Sequence, residues 1–128
     1  MAKILLDTNA LLWWFSDDPR LGAEAAKLIS LESNNLYVSE ISLFEVSIKI
    51  SLGKLQPIPS FLDKVAELTP LRLTMTDNGL NAYQKLPLLH RDPFDRMLIA
   101  QAQVGGLTIL TSDDAFKEYD VAVLDLCT

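Results

Sequence analysis

The sequence predicts a three-layer α/β/α sandwich around a central parallel sheet of about five strands. Stretches with strand character alternate along the chain with stretches of helical character, which favours right-handed crossovers between parallel strands. Residues 4–6 and 107–110 are almost continuously apolar, as is typical of strands that are covered on both faces. Helices are therefore expected on both sides of the sheet.

Five stretches carry the strand signal, and they are residues 3–7, 36–39, 71–75, 107–111 and 121–124. The stretch 71–75 alternates apolar and polar side chains, which indicates a strand with one exposed face.

Helical stretches fill the intervals, and they are predicted at residues 10–15, 22–31, 39–52, 60–68, 77–84, 93–105 and, as a short helix, about 115–119. Gly53 ends the third helix, and Ser60 and Asp77 are the expected N-caps of the fourth and fifth. Pro93 occupies the first turn of the sixth helix, a position that proline favours. The alternation therefore continues without a break to the last strand.

The composition fits a single domain that spans residues 1–128. Hydrophobic residues make up 49%, which excludes a disordered chain and indicates apolar surface that a homodimer or another partner covers. Cys127 has no second cysteine to pair with, and we find neither a secretion leader nor an apolar run of the ~18 residues that span a membrane. We therefore expect a cytoplasmic protein with no membrane partner.

The charge balance sets a condition on any nucleic-acid partner. A net charge of −6 argues against a broad basic binding surface, unless much of the negative charge belongs to a metal cluster. Lys49, Lys54, Arg91 and Arg96 stand near acidic positions in the sequence and can hold phosphates locally. Binding is then expected to be weak without metal.

Four acidic residues fall where a strand ends or the next helix begins, and they are Asp7, Glu45, Asp95 and Asp113. In an open parallel sheet such positions share the carboxyl edge, where ligands bind. Clustered carboxylates repel one another and stay ionised only beside positive charge. Because oxygen ligands suit Mg²⁺ and Mn²⁺, the pattern indicates metal-dependent phosphodiester chemistry.

Asp7 and Glu45 also have ordinary structural interpretations. Asp7 can cap the helix that follows it. Glu45 shares an apolar helical stripe, where an unpaired charge is costly to bury; it can instead form a capping box with Ser42 or an ion pair with Lys49 one turn later. These alternatives stay open on the sequence alone.

The later acids stand in pairs, and one of each pair suits a cap. Asp92 is the expected cap of the helix that begins at Pro93, which leaves Asp95 on the first turn as the metal ligand, although acids there also offset the helix dipole. Asp113 and Asp114 follow the fourth strand, and Asp113 is the better ligand because it lies nearer the strand end.

The chain resembles PIN-domain ribonucleases, specifically the VapC-type toxins of type II toxin–antitoxin systems. The resemblance is carried, in the family's order, by residues 4–13, 39–46, 90–102 and 110–113. It implies a five-stranded parallel sheet, Mg²⁺ or Mn²⁺ as cofactor, endonucleolytic cleavage of RNA and a homodimer. It also implies a cognate antitoxin whose basic side chain points at the acids, and it identifies the same four acidic residues as the site.

The working hypothesis is hydrolysis of an RNA phosphodiester by metal-activated water. Asp7 and Asp95 are the preferred direct ligands, Glu45 binds metal or orients the water, and Asp113 completes the site. Residues expected to hydrogen-bond these ligands or to hold a phosphate are Thr8, Asn9, Asp92, Arg96 and Thr111. His90 is expected in a loop and solvated rather than catalytic.

A non-catalytic module whose acidic groove captures a basic side chain of a partner protein is the alternative. Phosphatase and receiver-domain functions are disfavoured, since a phosphorylated-aspartate hydrolase needs a second Asp two residues after Asp7, where this chain has Asn9. The aromatic run 13–15 is assigned to the core or an interface rather than to base stacking.

Overall fold

A parallel sheet of five strands forms the centre of the computed structural model, which describes residues 2–68 and 71–128. The strands are β1 (Lys3–Leu6), β2 (Asn35–Ser39), β3 (Leu71–Leu73), β4 (Thr108–Thr111) and β5 (Ala122–Asp125). Their order is β3-β2-β1-β4-β5, and every neighbouring pair is parallel. The predicted sheet is therefore confirmed.

Within residues 2–68 and 71–128, six α-helices and one 3₁₀ helix connect the strands. They are α1 (Thr8–Ser16), α2 (Ala23–Ser30), α3 (Glu40–Ser51), α4 (Phe61–Leu68), α5 (Asp77–Lys85), α6 (Pro93–Gly105) and the 3₁₀ helix Asp114–Glu118. Gly53 follows α3 with a φ of 72°, a conformation that favours glycine. Among the described residues, no helix is both long enough and apolar enough to cross a membrane.

The sheet is covered on both faces because neighbouring residues of β1 point to opposite sides. Ile4 and Leu6 pack into one core with side chains of α1, α2 and α4, whereas Leu5 packs into a second core with side chains of α5 and α6. All three residues are fully buried. The three-layer sandwich is thus confirmed, and the alternating side-chain direction of a strand is its cause.

Several predicted element ends differ from the structure. Thr76, not Asp77, caps α5, because the Thr76 side chain accepts a hydrogen bond from the backbone N–H of Gly79 at 3.1 Å. β3 ends at Leu73, two residues early, and the N–H of Met75 donates instead to Glu40 Oε1 at 2.8 Å. The fourth helix ends at Leu68, as predicted, and residues 69–70 lie outside the described residues.

The topology creates a crevice beside β1. The chain proceeds from β1 to β2 and β3 on one side and to β4 and β5 on the other. The loops that leave the carboxyl ends of β1 and β4 therefore diverge, and such a switch point is where open α/β sheets bind ligands.

Candidate active site at the carboxyl edge of the sheet

The four predicted acids line one small cavity at this switch point. The cavity has a volume of about 210 Å³. Its lining consists of Asp7, Thr8, Asn9, Glu45, Lys49, Asp92, Asp95, Asp113 and Phe116. Residues that follow β1, residues of α1, α3 and α6, and residues of the loop and 3₁₀ helix after β4 thus meet although they are far apart in the chain.

Asp7 is both a helix cap and a member of the cavity. It follows β1, and its backbone N–H donates to the carbonyl of Leu110 in β4 at 3.2 Å. Its Oδ1 accepts from the N–H of Ala10 at 2.7 Å, which caps α1. Burial raises the pKa of Asp7 to about 7, and repulsion from Asp95 and Asp113 adds to the effect, against hydrogen bonds from Thr111 and Ala10.

Glu45 is buried on α3 and held at both carboxylate oxygens. Thr8 Oγ1 donates to Oε1 at 2.7 Å, and Lys49 Nζ lies 3.2 Å from Oε2. The ion pair between Glu45 and Lys49, one of the two structural alternatives that the sequence left open for Glu45, is therefore present. The capping box with Ser42 does not, because α3 begins three residues earlier with Ser39 as its cap.

The start of α6 supplies Asp92 and Asp95. Asp92 Oδ1 accepts from the N–H groups of Phe94 and Asp95 at 2.9 and 3.1 Å, so Asp92 is the N-cap as predicted. Burial raises the pKa of Asp95 to about 6, partly offset by a hydrogen bond from His90 and reinforced by repulsion from Asp92 and Glu45.

Asp113 enters the cavity from the loop after β4. Its Oδ1 accepts from the N–H of Ala115 at 2.9 Å and caps the 3₁₀ helix. Its own N–H donates to Thr111 Oγ1 at 3.0 Å. The Thr111 hydroxyl also lowers the pKa of Asp7, so Thr111 interacts with both of these acids.

His90 contradicts the expectation of a solvated side chain. Its Nε2 lies 2.8 Å from Asp95 Oδ2, and the imidazole side chain is only 23% exposed. Ligand atoms of His90, Asp95 and Asp113 all lie within 4.8 Å of one another. The hydrogen bond also raises the pKa of His90. The only available signal in the sequence was the proximity of the single histidine to Asp95.

Arg96 contradicts the expectation of a phosphate contact. Its side chain is buried, and Nη1 donates to the carbonyl of Pro87 at 3.0 Å and to Tyr119 Oη at 3.1 Å. Its guanidinium also lies 4.9 Å from the ring centroid of Tyr83. The basic side chain that does line the cavity is Lys49.

The match to a family model decides which family this site belongs to. The model of the PIN domain matches residues 4–122, a range that contains every residue of the acidic cavity. The chain belongs to the PIN domain family. The resemblance inferred from the motifs is therefore confirmed.

Known relatives of this PIN domain agree in both sequence and fold. Ribonuclease VapC22 of Mycobacterium tuberculosis is 26% identical over 122 residues, which cover 93% of each chain. VapBC2 from Rickettsia felis, in a crystal structure bound to a DNA fragment from its promoter, has a TM-score of 0.77 at 18% identity, covering 96% of this chain and 98% of that one. FitAcB from Neisseria gonorrhoeae has a TM-score of 0.68 at 24% identity, covering 94% and 96%. At these identities the structures establish a shared fold.

The donors in this PIN domain's cavity suit a hard divalent cation. Carboxylate oxygens are the ligands that Mg²⁺ and Mn²⁺ prefer, and the imidazole of His90 stands beside two of them. Burial, reinforced by repulsion from neighbouring acids, raises the pKa of Asp7 to about 7 and that of Asp95 to about 6, so nearby positive charge would favour the ionised form of both carboxylates. A bound cation would supply that charge.

Proposed function

We propose that this PIN domain is a metal-dependent endoribonuclease and the toxin of a toxin–antitoxin pair. The observation that carries the proposal is the meeting of four carboxylates in one cavity beside Lys49. The name of the VapC22 relative, a ribonuclease, supports RNA as the substrate. Solved structures of the same fold are toxin–antitoxin complexes, which supports an antitoxin as the partner.

Asp7, Glu45, Asp95 and Asp113 would hold Mg²⁺ or Mn²⁺. When bound, the cation lowers the pKa of water and neutralises charge that develops on the leaving oxygen. In the hydrolysis, a water oxygen bonds to phosphorus, the P–O3′ bond breaks, and a proton passes to the 3′-oxygen. The products are a 5′-phosphate and a 3′-hydroxyl.

Residues of the cavity would bind the cation, orient Glu45 and hold the substrate phosphate. Asp7 and Asp95 must lose their protons before they can bind a cation, so their raised pKa values couple ligation to deprotonation. Thr8 and Lys49 fix the two oxygens of Glu45, which orients this carboxylate toward the metal or the attacking water. Lys49 Nζ and Asn9 at the cavity wall are suited to hold the substrate phosphate.

The antitoxin would use the same cavity. A basic side chain placed among the carboxylates would neutralise them without supplying a Lewis acid, which blocks cleavage. Binding alone is also what a non-catalytic module would show, so only turnover separates the two functions.

The test is cleavage of a mixed structured RNA in Mg²⁺, Mn²⁺ or EDTA by wild type, Asp95→Asn and Asp114→Asn. Asp114 is the matched control because it is the neighbour of Asp113 and its side chain is 91% exposed. We expect discrete fragments that require metal, wild-type activity in Asp114→Asn, and a loss of about 100-fold or more in Asp95→Asn.

Cleavage by Asp95→Asn at the wild-type rate would contradict the assignment of the site. Failure of folded wild type to cleave RNA with either metal would favour the binding module.

A further inference from the structure

A buried arginine fixes the loop that precedes α6. Arg96 Nη1 donates to the backbone carbonyl of Pro87 at 3.0 Å and lies 3.4 Å from that of His90. Arg96 is 8% exposed, so its charge is held away from water and depends on these oxygen atoms. The buried guanidinium needs these carbonyl oxygens as hydrogen-bond acceptors, and the loop that carries them is therefore held in place.

Tyr119 fixes the same loop from the other side. Its hydroxyl donates to the carbonyl of Pro87 at 2.9 Å and accepts from the N–H groups of Leu89 and His90 at 3.1 and 2.9 Å. Arg96 Nη1 also donates to this hydroxyl at 3.1 Å. Tyr119 directly follows the 3₁₀ helix that Asp113 caps, so the loop is joined to two elements that each supply a site acid.

The backbone of His90 is consequently held at both its N–H and its carbonyl, and its imidazole meets the site. Nε2 lies 2.8 Å from Asp95 Oδ2. Because an ionised carboxylate only accepts hydrogen bonds, Nε2 carries the proton in this contact. A donor at one oxygen restricts rotation of the Asp95 carboxylate about its Cβ–Cγ bond.

We propose that His90 is a positioning residue that fixes the orientation of the Asp95 carboxylate, and that Arg96 and Tyr119 hold His90 in place. This role rests on the proposed function for its effect on RNA cleavage. Outer partners that orient a ligating carboxylate contribute 10–100-fold to metal affinity or activity in other sites. His90 thereby extends the site beyond the acidic residues, through one hydrogen bond.

The test compares His90→Ala, His90→Gln, Tyr119→Phe and the control Leu88→Ala in the full chain. Glutamine at position 90 keeps a side-chain N–H that can donate to Asp95, and phenylalanine at position 119 keeps the ring without the hydroxyl. Leu88 lies in the same loop with 73% exposure. Calorimetric titration with Mn²⁺ alone, in the absence of RNA, measures metal affinity, and kcat and KM for RNA are measured separately.

We expect His90→Ala to weaken Mn²⁺ binding about 10-fold and to lower kcat by about 10- to 100-fold, with KM for RNA nearly unchanged. His90→Gln should recover most of both losses, Tyr119→Phe should show a smaller loss of the same kind, and Leu88→Ala should match wild type. A weaker Mn²⁺ affinity at unchanged binding stoichiometry and the rescue by glutamine are effects that a loss of folded protein alone would not produce, because unfolding would lower the stoichiometry instead.

Wild-type Mn²⁺ affinity and kcat in His90→Ala would overturn the proposal, as would His90→Gln being as impaired as His90→Ala. If wild type binds Mn²⁺ but does not cleave RNA, the proposed function fails, and the Mn²⁺ titrations still decide the role of His90. If wild type does not bind Mn²⁺, both are overturned.

Discussion

Asp7 combines a structural and a chemical role in one carboxylate. Its Oδ1 caps α1 through the N–H of Ala10, and the same side chain is 4% exposed among other acids. The helix cap needs only an acceptor oxygen, whereas cation binding needs the negative charge. The two roles are therefore separable by an amide, which keeps the acceptor and removes the charge.

Asp7→Asn should stabilise the metal-free protein, and more so at higher pH. The pKa of Asp7 is raised from 3.8 to about 7 in the folded state, so the folded protein binds more protons than the unfolded chain between these values. The contribution of Asp7 to the free energy of unfolding of the wild type therefore falls as pH rises from about 4 to 7. The advantage of the variant should be roughly 3 kcal/mol larger at pH 8 than at pH 5.

Urea unfolding in EDTA at both pH values measures this difference, with Asp114→Asn as the exposed control. Excess Mg²⁺ should reverse the order of stability at pH 8, because it binds the ionised wild-type site. A stability difference that does not change with pH would contradict the raised pKa.

At the level of the element, the first turn of α6 assigns successive residues to different tasks. Asp92 caps the helix, Asp95 faces the cavity, and Arg96 binds the preceding loop. A helix places residues three apart on nearly the same face and adjacent residues about 100° apart. Helical geometry thus explains how three residues so close in the sequence can cap the helix, line the cavity and bind the preceding loop.

Asp92→Ala should therefore affect both stability and activity. The variant loses an acceptor for the N–H groups of Phe94 and Asp95, which should cost about 1 kcal/mol, or roughly 4 °C in Tm. Because one of these N–H groups belongs to Asp95, RNA cleavage should also fall, by about 10-fold. Asp92→Asn retains the acceptor and should keep the wild-type Tm. Equal Tm values for Asp92→Ala and wild type would show that the cap contributes nothing.

Across the whole molecule, the negative charge is concentrated in the cavity. Its lining contains five carboxylates and one lysine, a charge of −4 when all are ionised, out of −6 for the chain. The residues outside the cavity then carry a net charge of only −2. The low isoelectric point is thus mainly a property of the site, and it is compatible with RNA binding once a cation occupies the cavity.

The molecule also exposes large apolar side chains, which fits the proposed homodimer. Phe44 is 58% exposed, Leu52 62% and Leu62 55%, and such surface is commonly covered by a partner. Light scattering of the purified protein should give about twice the 14.3 kDa of one chain, at concentrations down to the micromolar range. A mass of one chain across that range would contradict the homodimer.

The sequence by itself determined the layers, the sheet and the identity of the acidic residues. Strands, helix ends and caps depend on a few consecutive residues, so the apolar runs, Gly53 and the pair Asp92-Pro93 were informative without a structure. Similarly, the four acids were predictable because the carboxyl ends of parallel strands must share one edge.

Only the tertiary structure decided the long-range hydrogen-bond partners of these side chains. Thr8 and Glu45 are 37 residues apart, and Arg96 and Tyr119 are 23 apart; such pairs depend on how helices pack on the sheet rather than on local pattern. For this reason Arg96 was wrongly expected at a phosphate and His90 wrongly expected in solvent. The burial that raises the pKa of Asp7 likewise exists only once the layers close around it, since an isolated strand end is fully hydrated.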